Sequence, residues 1–248
     1  MTFLQVWNMI KWLDEMNRAH VGVGENTRRA AKKTKNIWKV VILMKIIIFG
    51  ANGKTGRLVV QKTLEDGHEV TAFVRDPSTL TIQHDNLHIM KGQATDKSAV
   101  SEAIKGKELV ISCLGSDKGL KKTTVLHEMT SNIVAAMTEH HVARIIYMAS
   151  AGIDNEIPGI IGKITTMLLG NVLKDHHNAV AEIKKHSLTY TIVRPLSLTD
   201  NPYTGKYREA KTGIPEKGRS ISRADVADFI IRAITDEQYL NQSVALSN

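Results

Sequence analysis

Cysteine occurs once in these 248 residues, at position 113. A single thiol excludes an internal disulfide and any cysteine-based metal cluster, and a reducing cytoplasm fits such a chain. Cys113 falls in an apolar strand-like run and reads as a small buried hydrophobe. Aromatic residues make up only 5%, and all three tryptophans (Trp7, Trp12, Trp38) precede residue 44. No stretch is apolar for long enough to span a bilayer, because the run from Ile37 to Phe49 is broken by Lys39 and Lys45. The charged start, long apolar segment and small-residue cleavage site of a secretory signal are missing too. The pairs His140-His141 and His176-His177 lack a carboxylate or cysteine pattern at ligand spacing, so no metal is expected. There is no repeat, low-complexity tract or obvious linker.

Positive charge is abundant but unevenly placed. The formal net charge is +8, and residues 1–43 hold eight Lys/Arg against three Asp/Glu, a net of +5. Phe3, Trp7, Ile10 and Leu13 recur at helical spacing, and Arg28-Arg-Ala-Ala-Lys-Lys-Thr-Lys35 is basic. Three readings stand for this extension: an upstream stretch before a biological start at Met44, an arm for a partner or an anionic surface, or a packed extra helix. The 42% hydrophobic content supplies a sizeable core for one domain, 44–248.

Lys45-Ile-Ile-Ile-Phe-Gly50-Ala-Asn-Gly53-Lys-Thr-Gly56 carries the strongest signal. Ile46 to Phe49 read as a strand buried on both faces. Three glycines spaced G-x-x-G-x-x-G follow, then a helical pattern through Leu58, Val59, Thr63 and Leu64. In this order Gly50 permits the tight turn, Gly53 lets backbone N–H groups approach a pyrophosphate, and Gly56 lets the helix pack closely. Asn52, Lys54 and Thr55 complete the loop, and the helix N-terminus offers unpaired donors to an anion.

The next strand, Glu69-Val-Thr-Ala-Phe-Val, ends at Arg75. An acidic residue at this point would accept from a ribose 2′-hydroxyl. Arg75 instead offers a planar cationic fork suited to a 2′-phosphate, with Lys54 as a second charge, so NADPH is expected over NADH. The plainer reading pairs Arg75 with Asp76.

Further strands are expected at Leu87–Gly92, Glu108–Gly115, Ala143–Ser150 and Leu188–Pro195, with Gln242–Ser247 closing the sheet. Helical patterns fall at Ser98–Ile104, Thr123–His140, Lys174–His186 and Arg223–Thr235, the last capped by Ser222 with Asp225 at capping-box spacing. The alternation predicts an α/β fold, a doubly wound parallel sheet in a single domain with an N-terminal extension. Ligands of such sheets bind beyond the carboxyl ends of the strands, where strand order reverses.

From Met44 onward the chain resembles the atypical short-chain dehydrogenase/reductases of the NAD(P)H-binding, NmrA-like kind, and within them the NADPH-dependent flavin reductase (biliverdin reductase B) group. The resemblance rests on Ile48–Gly56, Val74-Arg-Asp76, Leu114-Gly-Ser116, Thr123–Met137, Asp175-His176, Asp200–Gly205 and Ile221–Asp225. It implies that Arg75 meets the 2′-phosphate, that Gln93 and Ala94 flank the adenine, and that Leu114, Gly115 and Ser116 lie along the nicotinamide side, with Pro195 also in the cofactor site. Ser150 would be the active-site serine, and His176 the substrate-side residue. Gln93 stands where an acidic residue is usual, and residues 151–173, which would build much of the substrate pocket, match poorly.

The Tyr-x-x-x-Lys dyad of typical short-chain dehydrogenases recurs only at Tyr207…Lys211, after the sixth strand, and reads as coincidence. Without it, the expected reaction is hydride transfer from NADPH to an electron-poor conjugated acceptor (a flavin, quinone or tetrapyrrole-like molecule). Ser150 then donates a hydrogen bond and His176 supplies a proton near neutral pH, or else they are a cap hydroxyl and a surface helix residue. Lys118, Lys121 and Lys122 steer an anionic acceptor or belong to a solvated loop. The other reading is a non-catalytic NADP(H)-sensing regulator. The expected partners are a small-molecule acceptor, no nucleic acid and no membrane span, in a monomer or weak homodimer.

Overall fold

Ile46, Ile47, Ile48 and Phe49 are completely buried, as a strand covered on both faces requires. They form β1 (Lys45–Phe49) at the middle of an eight-stranded sheet. The computed structural model describes residues 43–115 and 122–248; the expectations for residues 1–42 and for Ser116, Lys118 and Lys121 fall outside them. Leu43–Asn248 clusters as one unit.

From β1 the chain passes through α1 (Lys54–Glu65) to β2 (Glu69–Val74) and β3 (Leu87–Lys91). It continues with α2 (Lys97–Ile104), β4 (Leu109–Ser112), α3 (Val125–Glu139) and β5 (Arg144–Met148). Next come α4 (Gly159–Lys185), β6 (Thr189–Pro195), β7 (Ser197–Thr199), β8 (Arg208–Ala210) and β9 (Ser220–Ser222), and last α5 (Arg223–Thr235) and β10 (Gln242–Ser247). The sheet order is β3-β2-β1-β4-β5-β6-β10-β8, parallel except for β8 against β10, while β7 and β9 pair in parallel apart from it. Winding runs outward one way from β1 and the other way from β4. The order therefore reverses between β1 and β4, and the carboxyl ends of all the parallel strands open onto one edge. The doubly wound parallel sheet is thus as expected.

Two local expectations change. Gln242–Ser247 pairs with β6 but does not end the sheet, because Arg208–Ala210 adds an antiparallel edge strand. Three residues between turns carry too short an alternation to read. The helix expected from Lys174 begins at Gly159 instead. Its 27 residues span about 40 Å at 1.5 Å per residue. β5 has five residues and covers only about 17 Å. The half that packs into the molecule carries buried Leu173, Asp175, His176, Ala179, Val180 and Ile183. The first half therefore extends past the carboxyl edge of the sheet, with Ile164, Met167 and Leu168 exposed, Met167 at 77%.

The capping expectation at α5 holds. Ser222 Oγ accepts from Asp225 N at 3.0 Å, and the buried Asp225 carboxylate accepts from Thr204 N, Thr204 Oγ1, Gly205 N, Ser222 Oγ and Asn248 Nδ2 at 2.8–3.0 Å. Burial pushes its pKa up, but these donors outweigh burial and hold it down at about 2. One carboxylate thereby anchors the 200–205 loop and the last residue to the start of α5.

Candidate functional site

The loop after β1 is shaped by contacts that only glycine permits. Gly50 has φ +72°, and a Cβ there would lie 2.6 Å from the Cys113 carbonyl oxygen, at the end of β4. A Cβ on Gly56 would lie 2.1 Å from the Gly50 carbonyl oxygen, so α1 is drawn against its own loop. Gly53 differs: its φ is ordinary, and an added Cβ would meet only Gly50 O at 3.3 Å. Its bare surface is open on the outer side, as close approach of a ligand to the backbone requires. No side chain caps α1 and no acidic residue stands in its first turn. By contrast, Asp96 caps α2 and Ser222 caps α5. Gly53 N donates to Gly50 O at 3.0 Å, and the N–H groups of Lys54, Thr55 and Gly56 at the uncapped start of α1 form a cradle of backbone donors that fits a pyrophosphate.

Around this loop the strand ends fall in a row. Arg75 is exposed directly after β2, and Gln93 is exposed after β3, while Ala94 is buried with its carbonyl accepting from Asn132 Nδ2 at 3.1 Å. Leu114 is half-buried and Gly115 exposed beyond β4. Pairing of β5 with β6 continues past Met148 through Ala149 N to Val193 O and Ala151 N to Pro195 O, at 2.8 and 3.0 Å. That brings Ser150 level with buried Pro195. Ser150 Oγ donates to Ala151 O at 3.1 Å, a local contact that a ligand could replace.

Lys54 reaches away from the loop to Asp200 (2.6 Å), which also accepts from Arg223 (2.6 Å). Thr55 is buried in the first turn of α1. Asn52 is tied down more heavily. Its side chain bonds Thr79 Oγ1, and its oxygens accept from Arg57 Nε and Nη2 at 2.5–3.1 Å. Arg57 was missed in the sequence, where the glycine spacing stops one residue short of it.

The Asp175-His176 pair proves largely internal. Asp175, on α4, caps α3 by accepting from Leu126 N and His127 N at 3.1 and 3.0 Å across 49 and 48 residues. His176 is buried with Nδ1 at 3.1 Å from the Tyr147 hydroxyl. It is not a surface residue, nor does it titrate near neutrality: burial pushes its pKa down to about 4, against an opposing pull from Asp175. At pH 7 its imidazole is neutral and acts as a hydrogen-bonding group. Burial also raises the Tyr147 pKa.

The turn after Ser150 is held by a buried ion pair. Glu156 accepts from Gly152 N and Asp154 N, both at 3.0 Å, and pairs with Arg194 Nη1. Arg194 also donates from Nε to Ser243 Oγ at 2.9 Å.

Tyr207 and Lys211 flank the edge strand β8. The Tyr207 hydroxyl donates to Asp228 at 2.9 Å and Lys211 Nζ to Gln238 O at 3.1 Å, so they form no proton-transfer dyad. Among the described residues there is no group of three metal-ligating side chains and no helix long and apolar enough to cross a membrane. Lys122 is exposed.

A family model described as NAD(P)H-binding matches residues 50–237. An uncharacterized chloroplastic protein of Arabidopsis thaliana is 29% identical over 205 residues, covering 78% of this chain and 73% of its own. A Rossmann-fold NAD(P)-binding family protein from Shigella flexneri superposes with a TM-score of 0.68 at 25% identity, covering 83% of this chain and 94% of that one. ChuY, an anaerobillin reductase from Escherichia coli O157:H7, superposes with a TM-score of 0.70 at 22% identity, covering 82% and 96%. At that identity the likeness to ChuY is one of fold.

Proposed function

The chain belongs to the NAD(P)H-binding family, and on that premise we propose that it is an NADPH-dependent reductase acting on a conjugated acceptor of flavin, quinone or tetrapyrrole type. The observation that carries this reading is the run of strand ends, in which a cradle of backbone donors, Arg75 and Ser150 share one edge of a parallel sheet. Bound NADPH would supply the hydride. The protein's own part is placement and hydrogen bonding. Backbone donors of residues 54–56 hold the pyrophosphate, and Arg75 takes the 2′-phosphate. Gln93 and Ala94 bound the adenine, while Leu114, Gly115 and Pro195 flank the nicotinamide. Ser150 turns its hydroxyl from Ala151 O toward the carboxamide or the acceptor. The overhanging half of α4 supports an apolar-bodied acceptor, since Ile164, Met167 and Leu168 lie exposed beyond the sheet edge. His176, buried and neutral on Tyr147, lies behind the site as a packing and hydrogen-bonding group, and the proton comes from solvent. ChuY, a tetrapyrrole-type reductase by its name, is consistent with an acceptor of that class.

The decisive experiment is NADPH oxidation by the full chain with and without flavin mononucleotide. Turnover that depends on the acceptor supports the reductase, whereas tight NADPH binding without turnover on flavins or quinones moves the assignment to a sensor. Within the reductase reading, Ser150→Ala is expected to lower kcat at least about 10-fold, from loss of one positioned donor; an unchanged rate removes Ser150 from the reaction. Arg75→Gln is expected to raise the Kd for NADPH about 10- to 100-fold, the worth of charge-assisted hydrogen bonds of roughly 1.5–3 kcal/mol. A parallel titration with NADH checks it, because an equal rise there would contradict 2′-phosphate recognition.

A further inference from the structure

Arg57 joins two segments far apart in the chain. Its guanidinium grips Asn52 in the glycine loop through Nε and Nη2 (3.0 and 2.5 Å to Oδ1), and Nη2 also donates to Thr79 O at 2.6 Å. Thr79 closes the short 3-10 turn Pro77–Thr79 that follows Arg75 and Asp76, and its hydroxyl donates to Asp76 O at 2.6 Å. In a sheet of this type the pyrophosphate sits on the first loop and the adenosine ribose meets the end of the second strand. A side chain bridging those two segments stands where the ribose 2′ position must come. The inner edge of the fork is spent on Asn52 and Thr79. Nη1, on the outer edge, has no hydrogen bond among the described residues.

Charge points the same way. A 2′-phosphate carries about −1.5 to −2 at neutral pH. Asp76, beside Arg75, stays ionised: the Ser78 hydroxyl and then the Ser78 backbone N–H, at 2.7 and 3.0 Å from Oδ1, hold its pKa below the usual carboxylate range, and Lys91 contributes. Arg75 alone leaves that corner negative once the phosphate arrives. A second guanidinium, already fixed in place, offsets a full unit of that charge beside Lys91, with little further loss of side-chain freedom.

We propose that Arg57 is a second specificity-determining residue for NADPH, its outer N–H edge meeting the adenosine 2′-phosphate opposite Arg75 while its inner edge locks Asn52 to Thr79. This rests on the NADPH reading above. The test is direct titration of the full chain with NADPH and NADH, following nicotinamide fluorescence, for the wild type, Arg57→Gln and Arg57→Lys, with a thermal melt of each. Arg57→Gln is expected to weaken NADPH at least 10-fold and NADH no more than about two-fold, and to flatten the salt dependence of NADPH binding. Arg57→Lys, which keeps the charge but loses the fork, is expected to fall between and serves if the glutamine variant melts early. An equal loss for both dinucleotides would make Arg57 a brace for the glycine loop only and overturn the inference, leaving the NADPH reading intact. A wild type that binds NADPH no better than NADH would overturn both.

Discussion

Gly56→Ala is expected to abolish measurable NADPH binding and to lower stability by about 3 kcal/mol, while Gly53→Ala folds normally and loses binding alone. The added methyl at Gly56 meets Gly50 O at 2.1 Å, Gly50 C at 2.9 Å and Ala51 Cα at 3.0 Å, all backbone atoms. None can rotate aside as a side chain would, so the start of α1 must move off the loop, and overpacking of this kind costs roughly 1–3 kcal/mol or more. Gly50 has no room to retreat either: it already sits at a left-handed φ of +72° so close to β4 that even an added Cβ would lie 2.6 Å from Cys113 O. At Gly53 the single contact of 3.3 Å is relieved by a shift of a few tenths of an ångström. Its methyl projects instead where the ligand must approach the backbone. Thermal melts and NADPH titrations of the two variants separate the roles. A Gly53→Ala protein with full affinity would show that the pyrophosphate does not lie against this residue.

The same loop shows how much could be read beforehand. A buried apolar run, three spaced glycines and a helical pattern are local, and each was legible in Ile46–Leu64. The Ser222-Asp225 cap of α5 was legible for the same reason, because its two members stand three residues apart. Contacts closing over long sequence distances were not. Asp175 caps α3 from 49 residues away, and nothing in Asp175-His176 announces that the aspartate serves a helix end while the histidine is buried on Tyr147. The first half of α4 was hidden by its glycines. Gly162, whose Cβ would sit 1.9 Å from Ile157 O, reads as a helix breaker, yet it is what lets the helix start close against the preceding turn. Arg57 lies one residue past the glycine motif, and its bridge from Asn52 to Thr79 closes over 22 residues, which no local pattern marks. Ser150 and Pro195 were placed on one edge by strand counting alone, and the parallel pairing of β5 with β6 sets them level.

Glu156→Ala is expected to destabilise the protein by about 3–5 kcal/mol, the usual cost of leaving a buried charge unpaired. Arg194 is 3% exposed and is held by Glu156 on one side and Ser243 on the other. Removing the carboxylate strands the guanidinium and also frees Gly152 N and Asp154 N, so the turn beyond Ser150 loses its fixed shape. Urea unfolding should therefore show the loss of stability together with a fall in turnover at saturating NADPH. Replacing both partners by apolar residues, Glu156→Leu with Arg194→Met, should recover part of the stability, since the stranded charge is gone, but not the activity, since the two backbone donors remain unsatisfied. A double variant no more stable than the single one would show that those donors, and not the ion pair, account for the cost. Acid gives an independent reading. Burial raises the Glu156 pKa, but the backbone donors and Arg194 outweigh it and leave the group below its ordinary value. A depressed carboxylate stabilises the fold fully above its unfolded pKa and loses that contribution as pH falls through the folded one. The wild type should accordingly weaken on acidification below the ordinary glutamate range, and Glu156→Gln should flatten that part of the profile.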